Sequence, residues 1–168
     1  MEGSILTKGN RRFVFSLLLC ATLLFLATPA HSAREAIARL TDFTGTLAVQ
    51  SQGDWGVKPQ KGLPLYSSDK VVTRIGTAVV TFNDGATVEL KANSNLLIEE
   101  QEQAGSFTRN LRLLLGKLLF KTGGDAKTQT NLQTPTAICG LRGTAGVLSI
   151  GVDGQAYIQF SEGGVSYT

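Results

Sequence analysis

Residues 77–90 read TAVVTFNDGATVEL, a stretch that admits little besides a β-hairpin. Ala78, Val80 and Phe82 alternate with Thr77, Val79 and Thr81. After Asn83-Asp84-Gly85 come Ala86, Val88 and Leu90, alternating with Thr87 and Glu89. A strand turns successive side chains to opposite faces, so this spacing makes one face buried and one wet. A helix needs its apolar positions three and four apart, and these are two apart. Asp-Gly between two such runs is a hairpin turn, with Gly85 supplying the positive φ the turn demands.

The same rule extends along the chain. GTLAV (45–49) and KVVT (70–73) are short strands, and NLLIEEQ (95–101) begins as one before turning acidic. Leu111, Leu113 and Leu115 alternate with Arg112 and Leu114, and Gly116 is expected to break that run before KLLFKT. Residues 147–152 and 156–160 flank Asp153-Gly154 as a second hairpin, and Val165 and Tyr167 open a last strand. QGDWGVKPQKG and TGGDAKTQTN carry the breakers of two linkers. The pattern predicts an all-β fold: a twisted sandwich or roll, or a solenoid-like stack. The one good helical stretch after the N-terminal segment is AREAIARL (33–40), read as a short lead-in or as a continuing strand. TRIGTAVVTFNDG (73–85) and LRGTAGVLSIGVDG (141–154) echo each other, which predicts two related hairpins in one architecture.

The N-terminus reads as a leader. Lys8, Arg11 and Arg12 precede the uncharged run FVFSLLLCATLLFL (13–26), and ATPAHSA then offers Pro29 and small residues for cleavage after Ser32. The alternative is an uncleaved anchor over 13–30, marginal against the ~20 apolar residues of a span. The expected organisation is therefore a signal peptide at 1–32, a lead-in at 33–39 and a β domain at 40–168. The body then lies outside the cytoplasm, periplasmic or secreted, or anchored and facing the periplasm.

Loss of the leader changes the chemistry available. Of 16 basic and 13 acidic residues, Lys8, Arg11, Arg12 and Glu2 leave with it, so the body is close to neutral. There is no basic stripe, and nucleic acid is not an expected partner. His31, the single histidine, also leaves, and only Cys139 remains of the cysteines. Without imidazole there is no Ser-His-Asp or Cys-His nucleophile and no histidine-based metal site, so no catalytic residue, metal or cofactor is expected.

The glycine-rich stretch CGLRGTAG (139–146) invites a site reading that its parts do not support. It lacks the spacing and lysine of a phosphate loop, it lacks Gly-x-Gly-x-x-Gly, and Cys139 has no base. Gly140, Gly143 and Gly146 are instead expected to allow a tight turn or a close backbone approach before the strand at Val147. Arg142 is either a surface charge or the partner of a buried carboxylate or of turn carbonyls.

Taken in order, these residues resemble the FecR-type domain, a family named for the ferric-citrate transport regulator of bacterial envelopes. The resemblance lies in Gly45 to Val49, then Trp55, Pro59 and Gly62, then Leu65, Asp69 and Thr73. It continues through Phe82, Asp84 and Gly85, through Leu113, Gly116 and Phe120, through Thr134-Pro135, and through Arg142, Gly143 and Thr144. It departs at Ser68, where the family often has glycine, and at Gly146, where an aromatic is frequent. The regulators carry a cytoplasmic sigma-factor-binding segment, whereas only 12 residues precede the apolar run here. The resemblance thus implies envelope signalling without direct sigma-factor binding. FecR-type domains often continue past a stretch like GGVSYT, which implies a short or truncated member.

The resemblance and the missing imidazole together imply a non-catalytic envelope module binding a protein or other extracytoplasmic ligand, with a membrane partner only if the N-terminal segment stays uncleaved. Edge strands are templates for an added strand, and 164–168 is the natural edge. The alternative is a surface structural or glycan-binding domain using Trp55, Tyr66, Tyr157 and Tyr167, although Trp55 reads first as a core plug beneath a loop and only second as a stacking platform. A carboxylate-pair hydrolase ranks third, because Glu99 and Glu100 point to opposite faces of a strand. The residues expected to carry the fold motif are Asp84, Gly85, Gly116, Arg142, Gly143, Thr144, Asp153 and Gly154, and those expected to meet a partner are Trp55, Tyr157 and Tyr167.

Overall fold

The computed structural model describes residues 34–123 and 127–167, and they are all-β. The leader and its cleavage point lie outside the described residues; within them no helix is long and apolar enough to cross a membrane. The strands are β1 (Ala38–Phe43), β2 (Thr46–Ser51), β3 (Asp54–Val57), β4 (Leu63–Leu65), β5 (Asp69–Ile75) and β6 (Ala78–Phe82). They continue with β7 (Thr87–Leu90), β8 (Ser94–Gln103), β9 (Ser106–Lys121), β10 (Thr128–Gln133), β11 (Ile138–Ile150) and β12 (Ala156–Tyr167).

The lead-in is not helix. Residues 34–37 are irregular and β1 starts at Ala38, with Ala38 and Leu40 buried and Arg39 exposed between them. Pairing with β4 and β6 fixes that two-residue period over the helical propensity of AREAIARL. The hairpin of residues 77–90 forms as its pattern demands. Ala78 faces Leu90 and Val80 faces Val88 across β6 and β7, with all four buried.

The strands of the described residues join one curled sheet, whose main path runs β3-β2-β5-β8-β9-β7-β6-β1-β4. β9 is the hinge of that order. Its first half pairs with β8 and, in parallel, with β10; its second half pairs with β7 and β11. The sheet therefore folds over, with Leu40, Val80, Leu90, Leu96, Ile98, Leu113 and Leu118 packed in its interior.

Glycines set the fold line. Buried residues are odd-numbered in β5 (Asp69, Val71, Thr73) and even-numbered in β6 (Ala78, Val80, Phe82), and Gly76, at φ 91°, lies between. In β9 they are odd-numbered at Arg109, Leu111 and Leu113, then even-numbered at Leu118 and Phe120; the register against β8 slips at Leu114, and Gly116, at φ 99°, follows two residues later. One extra residue moves every later side chain to the other face. Gly116 thus bends a continuous strand where the sequence suggested a break, because β8 and β11 keep pairing on either side of it. Space is as tight as the dihedral is special: a β-carbon on Gly76 would sit 2.2 Å from the Thr44 carbonyl oxygen, and one on Gly116 2.3 Å from Ser94 Oγ. Hydroxyls hold the corner. Thr44 and Thr77 share a 3.2 Å hydrogen bond, and the Ser94 amide donates to Thr73 Oγ1 at 3.1 Å.

CGLRGTAG does not turn. It lies wholly within β11, with a bulge between Arg142 and Ala145. Close approach is the part of the expectation that holds, since a β-carbon on Gly146 would meet the Gln159 carbonyl oxygen at 2.4 Å. The echo with residues 73–85 stops at the backbone pattern. The buried positions are the second, fourth and sixth after Gly76, but the first, third and fifth after Gly143.

Candidate functional site

The fold gives the motif residues distinct duties. Asp69 is fully buried and accepts hydrogen bonds from Ser51 Oγ (2.8 Å), the Tyr66 amide (2.9 Å) and the Gln52 amide (3.1 Å). One carboxylate thus fastens the turns before β3 and β5, where buried donors would otherwise go unmet. Thr144 is buried; its amide donates to Thr122 Oγ1 at 2.8 Å and its hydroxyl to the Arg142 carbonyl at 2.9 Å, closing the bulge around Gly143. Asp153 and Gly154 form the β11–β12 turn, where Asp153 Oδ1 accepts the Gln155 amide. Arg142 itself is exposed. Cys139 is half-buried, and burial pushes its thiol pKa up, away from the reactive thiolate.

The arginine that does meet buried carboxylates is Arg109, on β9. Its side chain is 2% exposed, and its Nη1 donates to Asp84 Oδ2 at 2.9 Å. Its Nε and Nη2 each reach Glu100 Oε2 at 2.7 Å, and its Cζ lies 3.9 Å from the Phe82 ring centroid. Asp84 comes from the β6–β7 turn and Glu100 from β8, so one guanidinium ties the two layers of the folded sheet together opposite its bend. Asp84 also accepts the Ala86 amide at 3.1 Å, giving the hairpin turn its second role. The odd-numbered inward face of Leu111 and Leu113, extended backwards, already puts Arg109 inside; that was the available sign. Glu99 lies on the other face, 3.7 Å from Arg112.

Beside this pairing opens a cavity of about 550 Å³, lined among others by Ile37, Ser68, Asp84, Glu100, Phe107 and Arg109. Among the described residues no cluster of three or more His, Cys, Asp or Glu is arranged to hold a metal ion.

The residues expected to meet a partner are separated. Trp55, on β3, is 50% exposed and is no core plug: β3 is a four-residue edge strand that, among the described residues, pairs only with β2. Tyr157, on β12, is 66% exposed, and five strands (β2, β5, β8, β9 and β11) lie between β3 and β12 in the pairing order. The Tyr167 backbone pairs with Cys139; its side chain lies outside the described residues. β12 runs twelve residues and, among the described residues, pairs with β11 alone, so its outer side is an edge longer than the 164–168 segment expected from sequence. It contains neither proline nor lysine, the residues that commonly block such edges.

A family model described as FecR protein matches residues 69–166. The match begins at Asp69 and takes in the bend at Gly76 and Gly116, the Asp84–Arg109–Glu100 pairing and most of β12. No curated protein and no solved structure matches the chain.

Proposed function

Since the chain belongs to the FecR family, whose members are envelope-associated and regulatory rather than enzymatic, we propose that it is a non-catalytic, exported interaction module that binds an envelope protein by strand addition to β12. The observation that carries this reading is the twelve-residue edge, which lacks proline and lysine and carries one bulge at Ser161. Strand addition draws its affinity from main-chain hydrogen bonds and needs no reactive side chain, which suits a body without histidine. Signalling on this reading passes through the bound partner.

The test is a pull-down from the native cell envelope with the full chain and with residues 163–168 removed. Recovery of the partner falls at least about tenfold in the shortened chain, given that several main-chain hydrogen bonds at ~1 kcal/mol each are lost. Circular dichroism remains that of a β-sheet. Equal recovery contradicts edge pairing. The glycan alternative rests on the half-exposed Trp55, with Tyr157 on a strand that does not pair with β3.

A further inference from the structure

We infer that the cavity at the open end of the folded sheet is a binding site for a lysine- or arginine-bearing peptide segment of a partner protein. The reason is charge left uncompensated in a partly desolvated space. Asp84 and Glu100, with side chains 9% and 11% exposed, share the single guanidinium of Arg109. Two carboxylates against one cation leave a negative charge where burial makes unpaired charge costly. Glu35 and Glu102 stand exposed on the rim, and Arg34 offsets one of them. Among the described residues the lining therefore holds four carboxylates against two guanidinium groups, a surplus of two negative charges. Anionic ligands, phosphate groups and acidic lipid headgroups are repelled by that field, and cations are drawn in.

Shape narrows the cation further. A volume of about 550 Å³ is too large for a lone ammonium and matches a side chain with its flanking backbone. Ile37 and Phe107, both half-buried, give an aliphatic stem something to lie on, while its charged head points at the carboxylates. Arg109 shows the mode already, with a guanidinium stacked on Phe82 and its donors on two acids. The site uses none of β12, so it stands whether or not the edge reading does.

The experiment titrates the full chain with tri-lysine, tri-glutamate and butylamine by calorimetry, with amide chemical shifts locating each response. Tri-lysine is expected to bind and to shift Glu100, Phe107 and Arg109, leaving Trp55 unmoved. Tri-glutamate is expected to be silent, and butylamine at least about tenfold weaker, as fits a site that also holds backbone. Changing Glu35→Gln and Glu102→Gln together, both on the exposed rim, weakens tri-lysine by about tenfold while the fold stays intact. Raising the salt concentration weakens it as well. No binding at millimolar tri-lysine, equal binding of tri-glutamate, or indifference to the double change overturns the site; butylamine binding as tightly as tri-lysine overturns its assignment to a peptide. Removal of residues 163–168 leaves tri-lysine binding in place, which separates this result from a failure of edge pairing.

Discussion

Replacing Arg109 with methionine is expected to lower the unfolding free energy by about 3–5 kcal/mol, read from urea denaturation. Methionine fills much of the same volume and keeps contact with the Phe82 ring, so the loss comes from charge. Asp84 and Glu100 then remain buried without the guanidinium that donated to both of them. A second variant separates this cause from simple misfit. With Asp84→Asn and Glu100→Gln added to Arg109→Met, about half the loss is recovered, because no unpaired buried charge remains. The side-chain oxygen that Asp84→Asn retains can still accept the Ala86 amide, so the hairpin turn persists. A loss below about 1 kcal/mol for Arg109→Met shows that Arg109 does not tie the layers together.

Alanine at Gly116 is expected to cost about 3–5 kcal/mol, and the same change at Gly85 only about 1–2 kcal/mol. Both glycines have positive φ, 99° and 81°, so both substitutions meet the backbone penalty of an L-residue there. The difference lies in the surroundings. A β-carbon on Gly85 meets nothing within 4 Å, whereas on Gly116 it would lie 2.3 Å from Ser94 Oγ and 2.5 Å from the Asn93 carbonyl oxygen. Those groups belong to the corner itself and cannot withdraw without opening the fold line. Thermal unfolding of the two variants side by side is the measurement. Equal losses at the two positions mean that φ alone matters and that the bend is not a packed corner.

How much of this was legible in the residues depended on whether local pattern or long-range pairing decided it. The hairpin of residues 77–90 and the Asp153-Gly154 turn were legible because period-two burial and Asp-Gly chemistry act over a few residues. Gly116 and CGLRGTAG read as a break and a turn, and depart from both, for a common reason. A glycine with positive φ looks the same in sequence whether it ends a strand or bulges one, and only the partner strands on both sides decide. AREAIARL carries helical propensity that pairing with β6 overrides. Asp69 stands out by resemblance, while its three buried hydrogen bonds come from residues up to 18 positions away and have no local sign. Arg109 is the residue whose absence from the sequence reading has the most consequence. Arg142, an arginine beside glycines, looks like the partner of a buried carboxylate. An arginine in register with two leucines looks like a surface charge until the parity is counted.

The two ends of the molecule follow from the same fold. The bend is closed by glycine, threonine and serine, and the opposite end is held by a single ion-pair cluster with a cavity beside it. The strand that grows outward from this body, β12, is left with one side unpaired by any described residue.

The central claim is that β12 is the surface that pairs. Its most direct test places a photoreactive amino acid at position 159 of the full chain, on β12, and in a second variant at position 55, on β3, each in the native envelope. The account predicts a discrete protein adduct from position 159 and none from position 55. An adduct from position 55 alone, or none from position 159, contradicts it.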